Sequence, residues 1–76
     1  MGEFGNFSEA LEWVKNGAKI ARSGWNGKGM WLKLQTPDEH SKMTLPYLYM
    51  FTVDGNYVPW LASQTDILAE DWGIVE

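Results

Sequence analysis

The sequence predicts an α+β fold, with an N-terminal helix packed on a small antiparallel sheet and a short C-terminal helix. Apolar residues first recur at helical spacing. Short alternating segments rich in aromatic residues follow, separated by turns that contain glycine or proline. A second helix-capping pattern comes after them. No repeat or low-complexity linker interrupts the 76 residues, so we expect a single domain over residues 1–76.

The first helix is predicted over residues 7–16. Asn6 is suited to the N-cap, and Glu9 three residues later completes a capping-box pattern. Gly17 suits the left-handed position that commonly follows a helix. The apolar residues of the helix fall on one face and are expected to pack on the sheet: Phe7, Ala10, Leu11 and Val14.

Four strands are predicted over residues 19–22, 30–35, 48–53 and 57–60. In the second strand Met30, Leu32 and Leu34 share one face, and Trp31 and Lys33 share the other. Residues 36–42 are polar and are predicted to form an exposed loop, and residues 54–56 a hairpin turn. Ser63 and Asp66 form the second capping pattern, with a short helix running to residue 70. Residues 71–75 are expected to form a last short strand or an extended tail.

Composition narrows the classes of function. The chain has no cysteine and one histidine, which excludes disulfides and thiolate metal sites and argues against a histidine-rich one. We therefore predict neither a metal nor a cofactor.

The net charge of −4 leaves no basic surface for a long nucleic acid. No segment resembles a membrane span or a secretory signal, so a cytoplasmic location is expected. Since a chain this short buries only about 60% of its unfolded surface, self-association is favoured.

The first candidate site lies in the tryptophan- and glycine-rich segment of residues 25–31. Five tryptophans in 76 residues exceed what a small core needs. An indole stacks on flat rings, and glycines let the backbone approach a ligand. The candidate residues are Trp25, Asn26, Gly27, Lys28 and Gly29. The ring of Trp25, or alternatively of Trp31, would stack on a base, and the Asn26 amide would bind a base or a ribose. Lys28 and the backbone N–H groups near the two glycines would hold a phosphate. The alternative is a connecting loop whose tryptophans complete the core.

The second candidate site lies in residues 59–66. The start of a helix offers free N–H groups and favours an anion. Its candidate residues are Trp60, Ser63, Gln64, Thr65 and Asp66. The alternative is an ordinary capped helix.

Arg22 precedes the first segment, and it is expected either to reach a phosphate or to pair with Glu70. The consecutive acids and histidine at positions 38–40 are expected to be a solvated loop, and no catalytic arrangement stands out.

The two segments also carry a resemblance to a family. Residues 24–30 (GWNGKGM) and residues 59–66 (PWLASQTD), with Leu45-Pro46-Tyr47 between them, resemble the second class of Thoeris anti-defence proteins, which are small phage proteins formerly grouped as a domain of unknown function. The resemblance covers nearly the whole chain. One departure is the short loop over residues 36–43, which in longer relatives supplies additional ligand contacts.

The resemblance implies a non-enzymatic sponge. Such proteins bind the cyclic ADP-ribose isomer that Thoeris defence produces as an alarm signal and do not cleave it. Relatives form homotetramers with pockets between subunits, and some also take up cyclic oligonucleotides of CBASS defence. The expectation for this chain is a homo-oligomer, with a tetramer favoured, that sequesters a cyclic nucleotide in the host cytoplasm. An enzyme that degrades the signal and a protein that blocks a host enzyme remain as alternatives.

Overall fold

The computed structural model describes residues 4–25 and 28–76, which contain two helices and five strands. In chain order these are α1 (Phe7–Lys15), β1 (Lys19–Arg22), β2 (Trp31–Gln35), β3 (Tyr47–Phe51), β4 (Tyr57–Pro59), α2 (Gln64–Leu68) and β5 (Trp72–Val75). The predicted α+β class is confirmed: an N-terminal helix, an antiparallel sheet and a short C-terminal helix.

The capping box at the start of α1 forms as predicted. The Glu9 amide donates to Asn6 Oδ1 at 2.9 Å, and the Asn6 amide donates back to Glu9 Oε1 at 3.0 Å. Two of the free N–H groups at the helix start are thereby satisfied. The helix ends at Lys15, one residue earlier than predicted, with Asn16 as its C-cap. Gly17 has φ of 98°, the left-handed conformation expected there.

The sheet has the strand order β4-β3-β2-β1-β5 and is antiparallel throughout. The chain-terminal strand β5 lies beside β1, so that Ile20 pairs with Ile74 and Arg22 with Trp72. This long-range pairing brings the end of β1, which leads into the glycine-rich segment, next to the residues that precede β5. It therefore positions the site described below.

The core lies between α1 and one face of the sheet. Ala10 and Val14 of α1 are fully buried against Ile20, Leu32 and Trp72. Burying an aliphatic side chain of this size contributes about 1.5–3 kcal/mol. The Trp72 indole N–H donates to the Asp66 carbonyl at 2.9 Å, which satisfies its one polar group inside the core.

The opposite face of the sheet carries a cluster of aromatic side chains. Trp31 stacks on Phe51 with ring centroids 5.1 Å apart, and Tyr49 and Tyr57 pack edge-on at 5.7 Å. The Lys19 ammonium lies 4.7 Å from the Trp31 ring, a cation–π distance. We call Trp31, Tyr49, Phe51 and Tyr57 the aromatic face. In the described part of the chain no helix covers it, because α1 packs on the other side.

Several predicted boundaries differ from the observed ones. Strand β2 begins one residue later than predicted, at Trp31, and β4 ends one residue earlier, at Pro59. Strand β3 spans residues 47–51 instead of 48–53, since Thr52 already belongs to the turn and its amide donates to the Asn56 carbonyl at 2.8 Å. Helix α2 ends before residue 70 because Ala69 is extended, with φ of −71° and ψ of 152°. Over residues 4–25 and 28–76, neither helix has the length and apolarity that crossing a bilayer demands.

Candidate functional site

A groove of about 390 Å³ lies where the end of β1 and the glycine-rich segment meet the end of β5. Four of the predicted site residues line it together: Arg22, Trp25, Lys28 and Gly29. The other lining residues are Ala21, Ser23, Met30, Val75 and Glu76. Two further predicted residues, Asn26 and Gly27, lie outside the described residues. We call this concavity the candidate groove.

Arg22 lines the groove and forms two ion pairs. Its Nε donates to Asp71 Oδ1 at 2.8 Å and its Nη1 donates to Asp66 Oδ1 at 2.9 Å. Its partners are therefore Asp66 and Asp71, and the pairing with Glu70 considered from the sequence is wrong. Residue 70 falls beyond the end of α2, whereas Asp66 on the helix and Asp71 before β5 both face β1. One guanidinium is compensated by two carboxylates, so this cluster has a net negative charge.

Asp71 also holds the backbone that follows Arg22. Its Oδ2 accepts the Gly24 amide at 2.8 Å and the Ser23 hydroxyl at 3.3 Å. The Asp71 carbonyl accepts the Ser23 amide at 3.1 Å. A Cβ at position 24 would lie 2.9 Å from Asp71 Oδ2, closer than side-chain carbons approach. Glycine at this position therefore allows the carboxylate to reach the backbone.

Trp25 is fixed on two sides. Its ring packs edge-on against Trp72, with centroids 5.4 Å apart and planes at 81°. Its indole N–H donates to Asp66 Oδ1 at 3.2 Å. Edge-to-face aromatic pairs contribute about 0.5–1.5 kcal/mol beyond the area that they bury. Because its N–H already has an acceptor, Trp25 offers the groove a ring surface more than a hydrogen-bond donor.

The same contacts shift the ionisation of the cluster. Partial burial acts to raise the pKa of Asp66, but hydrogen bonds from Arg22 and Trp25 outweigh it and lower that pKa below its ordinary value. For Asp71, burial again acts upward, and hydrogen bonds from Arg22 and the Gly24 amide lower the pKa overall. Hydrogen bonds to Asp71 and then Asp66 raise the pKa of Arg22. All three groups are thus charged at neutral pH.

The second predicted segment lies beside the candidate groove but does not line it, and its Asp66 contacts two of the lining residues, Arg22 and Trp25. Ser63 caps α2 by accepting the Asp66 amide at 3.1 Å, as predicted, while Gln64 and Thr65 are exposed. Trp60 packs against Trp72, with centroids 6.1 Å apart, and lines a separate groove with residues 43–48. The two segments are therefore joined through Asp66, and Trp60 lies outside the wall of the candidate groove.

His40 lies in the exposed loop, where its Nε2 is 3.6 Å from Glu39 Oε1. This position agrees with the solvated loop predicted for residues 38–40. Within the described ranges, no group of three or more histidine or acidic side chains is arranged to hold a metal ion.

Sequence reasoning missed the full role of Asp71. Its contacts depend on β5 pairing with β1, which brings Asp71 to Arg22 across 49 positions of the chain. Ser23 was missed for the same reason. The available signal was the spacing of Asp66 and Asp71 on either side of a helix end, but only the strand order reveals that both acids face Arg22.

Comparison with known proteins identifies the family. Residues 5–75 match the model of the Thoeris anti-defense 2-like domain. The chain belongs to this family. A curated relative, Thoeris anti-defense 2 of Bacillus phage SP01, is 39% identical over an alignment of 83 residues, and the alignment covers 92% of this chain and 93% of the relative. The resemblance drawn from the two motif segments is thereby confirmed. Both segments lie within the matched range, and so do the lining residues of the candidate groove other than Glu76.

Proposed function

We propose that this member of the Thoeris anti-defense 2-like family acts for a phage by binding and sequestering a cyclic nucleotide signal of the host, and that it does not cleave the signal. A cyclic ADP-ribose isomer is the first candidate ligand. The observation that carries the proposal is the candidate groove, which joins a fixed indole, a lysine and a glycine turn in one concavity of about 390 Å³. Small-molecule sites commonly have volumes of about 300–1,000 Å³.

The charges along the groove suggest how such a ligand would lie. Arg22 already donates to two carboxylates, so we assign the phosphates to Lys28 and to backbone N–H groups near Gly29. Glu76 lines the same groove, and its carboxylate would repel a phosphate but accept a hydrogen bond from a ribose hydroxyl. Trp25 supplies the surface on which adenine stacks. The adenine ring, the phosphates and the ribose of the ligand would thereby each contact a different group of the groove.

The chemistry of the lining favours binding over cleavage. Ser23 is a hydroxyl residue of the groove, and its hydroxyl donates to Asp71, which is held ionised by Arg22 and is not a histidine base. The chain's one histidine, His40, lies in the exposed loop. A nucleophile needs an adjacent base to be activated at neutral pH. We therefore infer a sponge, which must match its signal in amount and bind it at nanomolar Kd, about −12 kcal/mol.

We further propose that the protein assembles into a homo-oligomer, a tetramer being favoured, through the aromatic face. Tyr57 of β4 is 66% exposed. Tyr47 of β3, on the same face of the sheet, is 37% exposed. Contiguous exposed aromatic side chains mark interaction surfaces more often than isolated ones do. A second copy laid on this face would supply the layer that the sheet lacks. Such an assembly acts in the cytoplasm of the infected cell, where the signal is made.

Titration calorimetry against cyclic ADP-ribose isomers and cyclic oligonucleotides tests the proposal. The protein is then heat-denatured and the released ligand is analysed by mass spectrometry. Uptake of one compound at nanomolar Kd, followed by its recovery intact, supports a sponge. A chemically altered product supports the enzyme instead. No uptake of any compound, together with a stoichiometric protein partner recovered from infected cells, supports a protein that blocks a host enzyme.

A further inference from the structure

Asp66 and Asp71 both bind Arg22, but they use their oxygens differently. Asp66 accepts Arg22 Nη1 and Trp25 Nε1 on the same atom, Oδ1. Asp71 accepts Arg22 Nε on Oδ1 and the Gly24 amide and Ser23 hydroxyl on Oδ2. Asp71 therefore uses both of its oxygens, one for the guanidinium and one for the turn that follows it, whereas the bonds of Asp66 to Arg22 and Trp25 use a single oxygen.

We propose that Asp71 is a positioning residue of the candidate groove. With one oxygen on Arg22 and the other on Gly24, it fixes the direction in which the chain leaves β1. That direction sets where the next residue, Trp25, stands in the groove. Asp71 is absent from the residues that line the groove, so it acts through the groove residues and not on the ligand. The inference rests on the proposed ligand binding at this groove.

Two isosteric substitutions separate geometry from charge. Asp71→Asn and Asp66→Asn each remove one negative charge beside Arg22. At position 66 the remaining amide oxygen can still accept from both Arg22 and Trp25. At position 71 the new NH₂ group must face either the Arg22 Nε–H or the Gly24 N–H, which places a donor against a donor. The positioning role thus predicts unequal effects from two equal changes of charge.

The experiment measures the Kd for cyclic ADP-ribose isomers in the wild type and both variants, at a temperature where all are folded. Asp71→Asn is expected to weaken binding by about tenfold or more, and Asp66→Asn by less than about threefold. Val14→Ala serves as the control for stability, because Val14 is fully buried on α1 and does not line the groove. It is expected to lower the melting temperature with no change in Kd.

Amide NMR shifts provide a second readout that needs no ligand. Asp71→Asn is expected to move the Ser23 and Gly24 amide signals, and Asp66→Asn to leave them nearly in place. Equal Kd values for the two variants, or a Kd loss in Val14→Ala as large as in Asp71→Asn, would overturn the inference. If the wild type takes up neither an isomer nor a cyclic oligonucleotide, the proposed function fails instead. The NMR comparison then decides the role of Asp71: unmoved Ser23 and Gly24 signals overturn it and moved ones support it.

Discussion

Trp25 and Asp66 are joined by a hydrogen bond of 3.2 Å between the indole N–H and Oδ1, although 41 positions separate them in the chain. The bond connects the glycine-rich segment to helix α2. The same oxygen also accepts Arg22 Nη1, so one carboxylate atom fixes both the aromatic ring and the cation of the groove wall. Changes at Trp25 therefore test the link between the two motif segments as well as the stacking surface.

Replacing Trp25 by Phe is expected to keep a ring against Trp72 while removing the donor to Asp66. The free energy of unfolding should fall by about 1 kcal/mol, the usual net contribution of a hydrogen bond. Trp25→Ala removes the ring as well and should cost about 2 kcal/mol or more. If stacking holds the ligand, calorimetry will find most of the affinity kept in Trp25→Phe and lost in Trp25→Ala. Equal affinities in the two variants would contradict a stacking role.

Replacing Gly24 by Ala is expected to disturb the groove through a single contact. The added Cβ would lie 2.9 Å from Asp71 Oδ2 and 3.4 Å from Arg22 Nη2. The carboxylate must move away, which weakens its bonds to Gly24 and Arg22. We expect a loss of about 1–3 kcal/mol in unfolding free energy, as for other overpacked sites, and a shift of the Arg22 Nε NMR signal.

Gly55→Ala is the matched control for that change. Gly55 has φ of 87° in the hairpin turn and open space around it, so alanine there is strained by its backbone and not by a neighbour. Both variants should be less stable than the wild type in urea unfolding. Only Gly24→Ala should alter the signals of Arg22 and Trp25. The same alteration in Gly55→Ala would mean that general destabilisation, and not the Asp71 contact, is responsible.

The fold could be predicted largely because its signals are local. The capping box of Asn6 and Glu9, the glycine after α1 and the Asp54-Gly55-Asn56 turn each depend on a few neighbouring residues. What sequence reasoning could not supply was the position of β5 beside β1, since pairing across about 50 residues leaves no local pattern. Strand ends were also misplaced by one or two residues where side-chain bonds such as those of Thr52 end the ladder early.

The site was predicted in part for the same reason. Trp25, Lys28 and Gly29 lie within five residues of each other, and their composition predicted either a ligand-binding segment or a connecting loop; the structure places all three in one groove. Asp66 was selected as a ligand contact, but its carboxylate binds Arg22 and Trp25. Asp71 was not selected, because its role follows from the strand order. Local motifs thus predict which segment forms a groove, whereas the groups that hold the segment in shape come from distant parts of the chain.

Acid stability is expected to depend on the Arg22 cluster. The pKa values of Asp66 and Asp71 are lowered from an ordinary value of 3.8. Their contribution to folding is therefore fully present above that value and is lost as pH falls through the lower folded-state values. Melting temperatures should change little through this cluster between about pH 5 and 8 and fall below about pH 4.

Asp66→Asn provides the check on this assignment. The variant keeps an oxygen for Arg22 and Trp25 but has no proton to gain, so its melting temperature should fall less steeply in acid than that of the wild type. Thermal melts at a series of pH values from 2 to 7 measure the difference. A variant that loses stability as steeply as the wild type would show that other carboxylates control the acid transition.

Tyr57→Arg is expected to disrupt self-association without unfolding the chain. Tyr57 is 66% exposed in one protomer, so arginine there costs little in a monomer, but in an assembly it would bury an unpaired charge against the aromatic side chains of a second copy. Light scattering after size-exclusion chromatography should report a smaller assembly at micromolar concentration. Ser8→Arg adds the same charge on the exposed side of α1 and should leave the wild-type mass unchanged.

The outcome at the aromatic face also bears on the groove. If Tyr57→Arg lowers the mass and leaves ligand binding intact, each protomer binds its ligand alone. If binding is lost together with the assembly while the melting transition stays cooperative, a second protomer completes the pocket. A wild type that is already monomeric at micromolar concentration contradicts the proposed use of this face, and Trp31 and Phe51 then serve only the stability of the sheet.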